Sequence, residues 1–489
     1  MSFHRWGRER WALAALLLLA WVLRLPLIFD NHLHPDEALY GYWGLLIGSG
    51  RDPWLATATV YKPPLLPYLM AGIQALFGSA KHHSEFALRL PGLAASLLTI
   101  PLTAALTRAL YRDWWTTAIV AVGMALSPFA IAFSATAFLD PLMVTLGLAA
   151  CVAASRDRPR WAGLLAGLSF ATKQTGLVWI PLAALLQIKS RKSQIRFSSV
   201  LLFIAHCSLV VLLVFAWDAA RVAQGAASFW RVGVAGYGGL RLVWPHELGM
   251  RLRGWLDLAR YLFTSPVING ALLMGLPVLL WRALMHRRYE REALMDLTFI
   301  SFSLIYFLLH WLGAFPIWDR YLLPLMPILA VLLGRVFTDL VCDLKSIVVH
   351  CSLLICLVLL AFNAACNHYA IGGNQGVYDG VDRVAVFLSG LPEGSVVYHH
   401  WLGWHYQYYL FDAPVYLAYW PTPAWLARDV QVFGAREPRY ITFPSWESSA
   451  RVERALAGVG YGLNPVLTTT RRDGTPSFTT YHIQPLSEP

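Results

Sequence analysis

Apolar runs, each about as long as a bilayer is thick, dominate the chain as far as residue 370. A transmembrane helix needs about 20 apolar residues, and windows of that length predict about eleven spans, two of them shorter than the rest. The first run is long for the core of a signal peptide and lacks a small-x-small cleavage site, so it is interpreted as an anchor. The predicted spans cover residues 11–29, 86–110, 115–133, 140–154, 161–172, 176–188, 198–217, 266–281, 293–315, 321–340 and 347–366.

The pattern changes from about residue 371 onward. Short runs rich in β-branched and aromatic residues predict strands at 395–401, 414–420, 439–444, 466–470 and 477–483. Helical runs at 380–389, 424–433 and 448–457 alternate with the earlier of these strands. We therefore predict a small α/β domain at 371–489 after a membrane domain at 1–370. It contains no GxGxxG, Walker or zinc-type pattern, which favours a lid over the membrane site rather than an independent catalytic domain.

Composition supports a polytopic membrane protein. Of the 489 residues 57% are hydrophobic and only 14% charged, with a mean hydropathy of +0.51. Soluble domains contain about a quarter charged residues. The net charge of +11 is then explained by basic cytoplasmic loops and by an anionic ligand outside, not by nucleic acid.

Basic residues orient the spans. By the positive-inside rule the side that carries them, with the N-terminus, is cytoplasmic. The loops at 30–85 and 218–265 and the C-terminal domain are then extracytoplasmic, which in a bacterium with two membranes is the periplasm. The basic clusters on alternate turns are Arg108 and Arg112; Arg156, Arg158 and Arg160; Lys189, Arg191, Lys192 and Arg196; and Arg282, Arg287, Arg288 and Arg291.

The first outer loop contains two adjacent carboxylates, Asp36 and Glu37, directly after Pro35. Proline and acids in a first turn are typical of an ordinary helix start, because the free N–H groups and the macrodipole favour them. The aromatic residues that follow, Tyr40 among them, predict a short interfacial helix that holds the acids at headgroup depth. Capping and catalysis both remain open for this pair.

Lys62 precedes Pro63 and Pro64, which force it into an extended conformation at the start of the next helix. At headgroup depth such a lysine can bind a lipid phosphate or simply anchor the loop. Asp140 opens a later span at the same outer boundary, either as an N-cap or as a further carboxylate of the site.

Lys173 lies between the two short spans at outer-leaflet depth, where it either faces a protein cavity or snorkels to the surface. Arg320 opens another span from outside, next to Tyr321, and its rigid fork suits a bidentate phosphate contact or a surface pair with Asp319. Each signal alone is weak. Their coincidence at one depth predicts a site that handles both a hydroxyl and a phosphate.

In order along residues 10–340, these motifs resemble those of GT-C membrane glycosyltransferases, specifically the protein O-mannosyltransferase and lipid A aminoarabinose transferase family (glycosyltransferase family 39 and its relatives). The stretches that carry the resemblance are Pro35-Asp36-Glu37-Ala38-Leu39-Tyr40, Tyr61-Lys62-Pro63-Pro64-Leu65, Arg89-Leu90-Pro91-Gly92, Phe138-Leu139-Asp140-Pro141-Leu142, residues 163–173, and Arg320-Tyr321 with the six residues after it.

The resemblance implies inverting transfer of a sugar (hexosyl or pentosyl) from a polyprenyl-phosphate donor to a hydroxyl of a glycan, lipid or protein, at the outer face of the inner membrane. It implies a catalytic role for Asp36 with Glu37 beside it, donor-phosphate contacts from Lys62, Arg320 and Tyr321, and cavity positions at Asp140, Lys173 and Tyr40. Tyr61 stands where aminoarabinose transferases carry Glu, which argues against a metal bridged from that loop and against lipid A as acceptor. No cofactor is assigned. A divalent metal at Asp140 is the alternative to sugar orientation, which is favoured.

The chemistry fits these residue types. A phosphate leaving group, with a second pKa of about 6, departs as an anion and needs cations rather than a general acid. The acceptor hydroxyl needs one base, for which Asp36 is the candidate. Two other interpretations compete: a transporter or flippase of lipid-linked precursors, which would be expected to show repeated halves, and a ligase that takes a pyrophosphate-linked oligosaccharide. No repeated halves are found in the sequence. The basic loop at 218–265 is compatible with the ligase, although contact with anionic lipids explains it as well.

Overall fold

The computed structural model describes residues 3–77, 84–189, 197–285, 290–338, 347–369, 372 and 376–486. The basic residues Arg191, Lys192, Arg196, Arg287 and Arg288, on which part of the orientation argument rests, lie outside these ranges. The described residues form two compact units. Unit 1 comprises Met1–Ile28, Asp52–Leu69 and Arg89–Gly373, and unit 2 comprises Phe29–Arg51, Met70–Leu88 and Asn374–Pro489.

Helices make up most of the described residues up to Ala365. Their bounds are α1 Phe3–Asp30, α2 Pro35–Gly48, α3 Leu65–Phe77, α4 Glu85–Tyr111, α5 Trp114–Ala125, α6 Pro128–Ala132, α7 Leu139–Ser155, α8 Pro159–Thr172, α9 Trp179–Lys189, α10 Phe197–Val222, α11 Phe229–Gly236, α12 Leu248–Ala259, α13 Pro266–Met285, α14 Glu290–Leu312, α15 Leu325–Val336 and α16 Ile347–Ala365.

Five helical segments within the described ranges are long and apolar enough to cross a membrane: Glu9–Asp30, Glu85–Tyr111, Phe197–Val222, Pro266–Met285 and Arg291–Leu312. Six shorter apolar helices accompany them: Leu65–Phe77, Trp114–Ala125, Leu139–Ser155, Gln174–Ile188, Leu325–Val336 and Leu354–Ala365. The predicted polytopic helical fold is therefore confirmed. Six of these eleven apolar helices are shorter than a full membrane span.

The span predicted at 115–133 is wrong as a single helix. The chain leaves α5 at Ala125 and starts α6 at Pro128. Ser127 caps α6, because its hydroxyl accepts the N–H of Ala130 at 3.2 Å and Pro128 supplies the preset φ of a first helical residue. The continuous apolar run concealed this start signal.

Small residues let the helices of unit 1 approach closely. α8 packs against both α7 and α10. A Cβ placed on Gly163 of α8 would lie 2.2 Å from the carbonyl oxygen of Phe203 in α10, so only glycine fits there. Close backbone contact of this kind is how helices associate where lipid removes the hydrophobic driving force.

A buried arginine ties α1 to the end of α5. Arg24 donates from Nη1 to the carbonyl of Ala125 at 3.0 Å, from Nη2 to that of Met124 at 3.3 Å, and from Nε to Ser96 Oγ at 3.0 Å. Both carbonyls belong to the last turn of α5, where helical hydrogen bonds run out and the dipole favours a cation.

We expect Arg24→Met to lower stability by about 2 kcal/mol, because charged hydrogen bonds to buried carbonyls are lost while the stem is kept. The midpoint of thermal unfolding, followed by tryptophan fluorescence in detergent, measures this. Arg10→Met makes the same change at an exposed position of the same helix and should shift the midpoint far less. Equal midpoints for Arg24→Met and the wild type would contradict the assignment.

Unit 2 contains the α/β domain predicted at the C-terminus. Its sheet has the order β2-β1-β3-β5-β4, with β1 parallel to β2 and β3, and β5 antiparallel to β3 and β4. The strands are β1 Val396–His399, β2 Tyr416–Tyr419, β3 Arg439–Pro444, β4 Tyr461–Thr470 and β5 Pro476–Pro485, and the helices are α17 Val381–Ser389, α18 Gly403–Tyr409, α19 Pro423–Phe433 and α20 Ala450–Ala457.

Helices cover both faces of this sheet. Tyr398 of β1 packs with Leu426 of α19 and Leu456 of α20, whereas the next residue back, Val397, packs with Val384 of α17 and Tyr406 of α18. This alternation follows the period of two along a strand. α2, from the first predicted outer loop, packs against α18 within the same unit.

Candidate functional site

Unit 1 buries a lysine–carboxylate pair at the point where α8 ends. Lys173 has an extended backbone between α8 and a short 3-10 helix at Gln174–Val178. Its Nζ donates to Asp140 Oδ1 at 2.5 Å, and each residue is only 2% exposed. Lys173 was predicted either to face a protein cavity or to snorkel to the surface, and the structure shows it buried in the protein interior. Asp140 is the second residue of α7, so it lies in the helix's first turn without being its N-cap.

A second buried lysine lies in a pocket of aromatic rings. Lys62, 7% exposed, donates from Nζ to Tyr237 Oη at 2.5 Å and lies 4.2 Å from the centre of that ring. Gln174 closes the same region, because its Nε2 donates to the carbonyl of Tyr61 at 2.7 Å. A Cβ on Gly233 would lie 2.6 Å from that Nε2, so glycine at this position of α11 permits the approach.

Two tyrosines connect these lysines. The rings of Tyr237 and Tyr321 are 6.5 Å apart, and Lys173 Nζ lies 4.3 Å from the centre of the Tyr321 ring. Burial, followed by the negative potential of neighbours such as Asp140, raises the pKa of Tyr237 well above its ordinary value. Tyr237 therefore stays a neutral hydroxyl that can accept from Lys62 and donate elsewhere.

Arg320 completes the cationic side of this region. Its guanidinium carbon lies 4.6 Å from the centre of the Phe138 ring and 5.3 Å from that of Trp318. Asp319 accepts the backbone N–H groups of Arg320 at 2.7 Å and of Gly372 at 3.0 Å, which fixes the turn before Tyr321. We call Lys62, Asp140, Lys173, Tyr237, Arg320 and Tyr321 the cationic cluster; its charged members are three cations and one carboxylate.

An apolar groove of about 410 Å³ lies between α9 and α14 in the same unit. Its walls include Leu182 and Leu185 on one side and Phe302 and Ile305 on the other. Tyr306 also lines it, and the Tyr306 hydroxyl donates to the carbonyl of Tyr321 at 2.6 Å. The groove is therefore linked to the cationic cluster by the hydrogen bond between Tyr306, which lines the groove, and Tyr321, which belongs to the cluster.

The acidic pair lies in unit 2, at the start of α2. His34 is the N-cap, and its Nδ1 accepts the N–H of Asp36 at 3.1 Å. The buried Glu37 accepts the N–H of His34 at 2.8 Å, which completes a capping box. Asp36 is partly exposed. The two carboxylates thus differ: Glu37 holds the helix start, and Asp36 is accessible. Tyr40 is buried against Trp43 in the same helix.

Several contacts within unit 2 hold this loop against the C-terminal domain. Glu85 Oε1 accepts from the Tyr409 hydroxyl at 2.5 Å and lies 3.5 Å from His32 Nδ1. Burial alone would lower the pKa of His32, but the hydrogen bond and charge of Glu85 raise it above its ordinary value. Arg51 pairs with Asp412 at 2.5 Å.

The structure brings together five of the eight predicted site residues in unit 1 (Lys62, Asp140, Lys173, Arg320 and Tyr321) and places the other three on α2 of unit 2. Sequence reasoning missed Tyr237 and Gln174. Gln174 directly follows Lys173, which the sequence had singled out. Tyr237 lies in a glycine-rich stretch of the second predicted outer loop, and that stretch was the available signal. Among the described residues, no three or more His, Cys, Asp or Glu side chains come together in a way that could hold a metal ion.

Comparison of the fold with solved structures gives full-length matches. The structure of ArnT from Cupriavidus metallidurans bound to undecaprenyl phosphate matches with a TM-score of 0.64 and 14% identity, over 98% of each chain. The apo form of the same protein gives a TM-score of 0.64 at 16% identity, over 97% of this chain and 98% of that one. The apo oligosaccharyltransferase of Archaeoglobus fulgidus matches with a TM-score of 0.53 and 14% identity, over 97% of this chain and 75% of that one.

The fold is therefore that of the GT-C class of membrane glycosyltransferases, and the resemblance predicted from the sequence motifs is confirmed. Residues 61–217 match the family model of dolichyl-phosphate-mannose-protein mannosyltransferases. No curated protein sequence matches the chain.

Proposed function

We propose that this protein is an inverting glycosyltransferase that moves a sugar from a polyprenyl-phosphate donor to an acceptor hydroxyl at the extracytoplasmic face of the cell membrane. The observation that carries the proposal is the cationic cluster, which buries Lys62 and Lys173 next to the apolar groove at α9 and α14. A polyprenyl phosphate is an anion on an apolar chain, and these two features match its two parts.

The cationic cluster suits a phosphate leaving group. In a site sheltered from water, an ammonium or guanidinium group stabilises developing negative charge far more than it does in bulk solvent. Lys62 and Arg320 are proposed to bind the donor phosphate. Asp140 accepts from Lys173 and fixes its position, and the pair is proposed to orient the sugar.

Asp36 is proposed as the base that takes the proton from the acceptor hydroxyl. Glu37 is a poorer candidate because it is buried and already accepts the N–H of His34. The start of a helix is also a favourable place for an acidic side chain such as Asp36, since the macrodipole is positive there.

The related structures are consistent with this donor: ArnT from Cupriavidus metallidurans was solved with undecaprenyl phosphate. For this chain, the orientation that we propose has a cytoplasmic N-terminus and an extracytoplasmic C-terminal domain.

The test is a donor assay with purified protein in nanodiscs. Undecaprenyl-phosphate hexoses and pentoses are supplied one at a time as donors. The acceptor is an envelope fraction from a strain that lacks this protein. We expect release of undecaprenyl phosphate and a mass increase of one sugar on the acceptor, both seen by mass spectrometry. Transfer only from pyrophosphate-linked oligosaccharides would instead identify a ligase, and movement of intact donor between leaflets would identify a flippase.

A further inference from the structure

Aromatic side chains crowd the edge of the C-terminal sheet at which its parallel strands end. His400 follows β1, Trp420 follows β2, and Trp446 follows β3 by two residues. Since β1 lies between β2 and β3, the chain leaves β1 toward one side and returns past it to the other. In open α/β sheets, ligands bind outside the carboxyl ends of the strands at such a reversal, here between the loops after β1 and β3.

The start of α2 is held at this same edge. His405, in the first turn of α18 after β1, donates from Nε2 to the carbonyl of Leu33 at 2.8 Å. Burial lowers the pKa of His405 to about 4, so the ring is neutral and its other nitrogen carries no proton. That nitrogen, Nδ1, has no hydrogen-bond partner among the described residues. The contact brings the loop before Asp36 to the reversal point.

Tyr378 and Trp446 form an aromatic pair, and Tyr378 lies close to the start of α2. The Tyr378 ring packs 4.8 Å from that of His405, 6.2 Å from that of His34, and edge-on at 5.9 Å to that of Trp446. The pKa of Tyr378 is raised, mainly by burial and further by the negative charge of Asp36. Trp446 is nevertheless 44% exposed, so much of an indole ring that packs edge-on against Tyr378 is accessible at this edge of the sheet.

Polar groups border the pair. Arg471, on the turn between β4 and β5, donates to Ser445 Oγ at 2.8 Å, and Arg472 pairs with Asp379 at 3.3 Å. These bonds hold two guanidinium groups, each with five N–H donors, close to the residues that flank Trp446 and Tyr378.

We propose that Tyr378 and Trp446 are the acceptor subsite and that the acceptor is a glycan, one of whose sugar rings stacks on Trp446 with a hydroxyl directed toward Asp36. A pyranose has an apolar C–H face that packs on an aromatic ring, and hydroxyls on its rim that need hydrogen-bond partners. The exposed indole ring of Trp446, with Arg471 bound to the adjacent Ser445 and Arg472 to Asp379, supplies both. The inference rests on the proposed function, since it gives the acceptor class of that same reaction.

The chain offers a matched control. Trp425 is 42% exposed, close to the 44% of Trp446, but it lies in the first turn of α19, the helix that follows β2. Strand β2 lies on the side of β1 away from β3. Trp446→Ala is expected to raise the KM for the glycan acceptor roughly tenfold, because one aromatic stacking contact is lost. The kcat and the KM for the donor should change by less than about twofold. Trp425→Ala is expected to leave all three unchanged.

Binding is also measured without donor, by saturation-transfer NMR with methyl glucoside, methyl mannoside and N-acetylglucosamine. These probes are expected to contact the wild type and Asp36→Asn, and to lose contact in Trp446→Ala. An unchanged acceptor KM in Trp446→Ala overturns the proposal, as does an acceptor that contains no sugar. Quenching of Trp446 fluorescence by brominated phospholipid also overturns it, because the ring then faces lipid. Trp446-dependent glycoside binding without any sugar transfer would refute the proposed enzyme and leave the subsite standing.

Discussion

Asp36→Asn is expected to reduce sugar transfer at least about 100-fold, because an amide cannot accept the proton of the acceptor hydroxyl and general base catalysis contributes at least that factor. The substitution keeps the size of the side chain, and Asp36 is partly exposed. Loss of its charge at the helix start should cost only about 0.3–1 kcal/mol of stability. Initial rates of sugar transfer, with the wild type in parallel, measure the effect.

Glu37→Gln is the matched control. Glutamine can still accept the N–H of His34 and preserve the capping box, so transfer should stay within a few-fold of the wild type. Donor binding, measured by displacement of labelled undecaprenyl phosphate, should be unchanged in both variants. Near-normal transfer by Asp36→Asn, or an equal loss in Glu37→Gln, would show that the base has been assigned to the wrong carboxylate.

The sequence identified those parts of the fold that depend on local pattern. The strand at Arg439–Pro444 was predicted to the residue, because it is a short, almost wholly buried run rich in aromatic and β-branched residues that ends at a proline. α18 was missed, since seven residues rich in aromatics (Gly403-Trp-His-Tyr-Gln-Tyr-Tyr409) show no apolar stripe at helical spacing. Its place is set by packing against α2, which is more than 300 residues away in the chain.

Charged site residues were found because charge is rare at membrane depth, so Lys173 and Asp140 attracted attention without any alignment. Their hydrogen bond forms because α7 and α8 are consecutive helices, and the start of α7 lies against the end of α8. Tyr237 could not be found this way, because a neutral hydroxyl in a loop carries no such signal and its partner Lys62 is 175 residues away. The catalytic and binding roles assigned to these residues stay predictions. The division into domains at residue 370 also stays a prediction. The compact units are drawn differently, since Phe29–Arg51 and Met70–Leu88 group with the C-terminal residues in unit 2.

Lys62→Met is expected to weaken donor use by roughly 10- to 100-fold in kcat/KM, since one charge-assisted contact to phosphate is worth about 1.5–3 kcal/mol. Methionine keeps most of the apolar stem and removes only the ammonium group that lies over the Tyr61 and Tyr237 rings. Replacing a buried ammonium by an apolar group of similar length should not unfold the protein, because it also removes the desolvation cost of the charge.

Tyr237→Phe separates the charge from its hydrogen bond. It removes the hydroxyl that accepts from Lys62 but leaves both the ammonium group and an aromatic ring in place. If Lys62 acts by binding phosphate, this variant should lose only a few-fold in kcat/KM, and acceptor KM should be unchanged in both variants. If Lys62 instead only anchors its loop through Tyr237, the two substitutions should have equal effects. Salt screens charges weakly in a buried site. The difference in kcat/KM between the wild type and Lys62→Met should therefore stay the same when the salt concentration is raised.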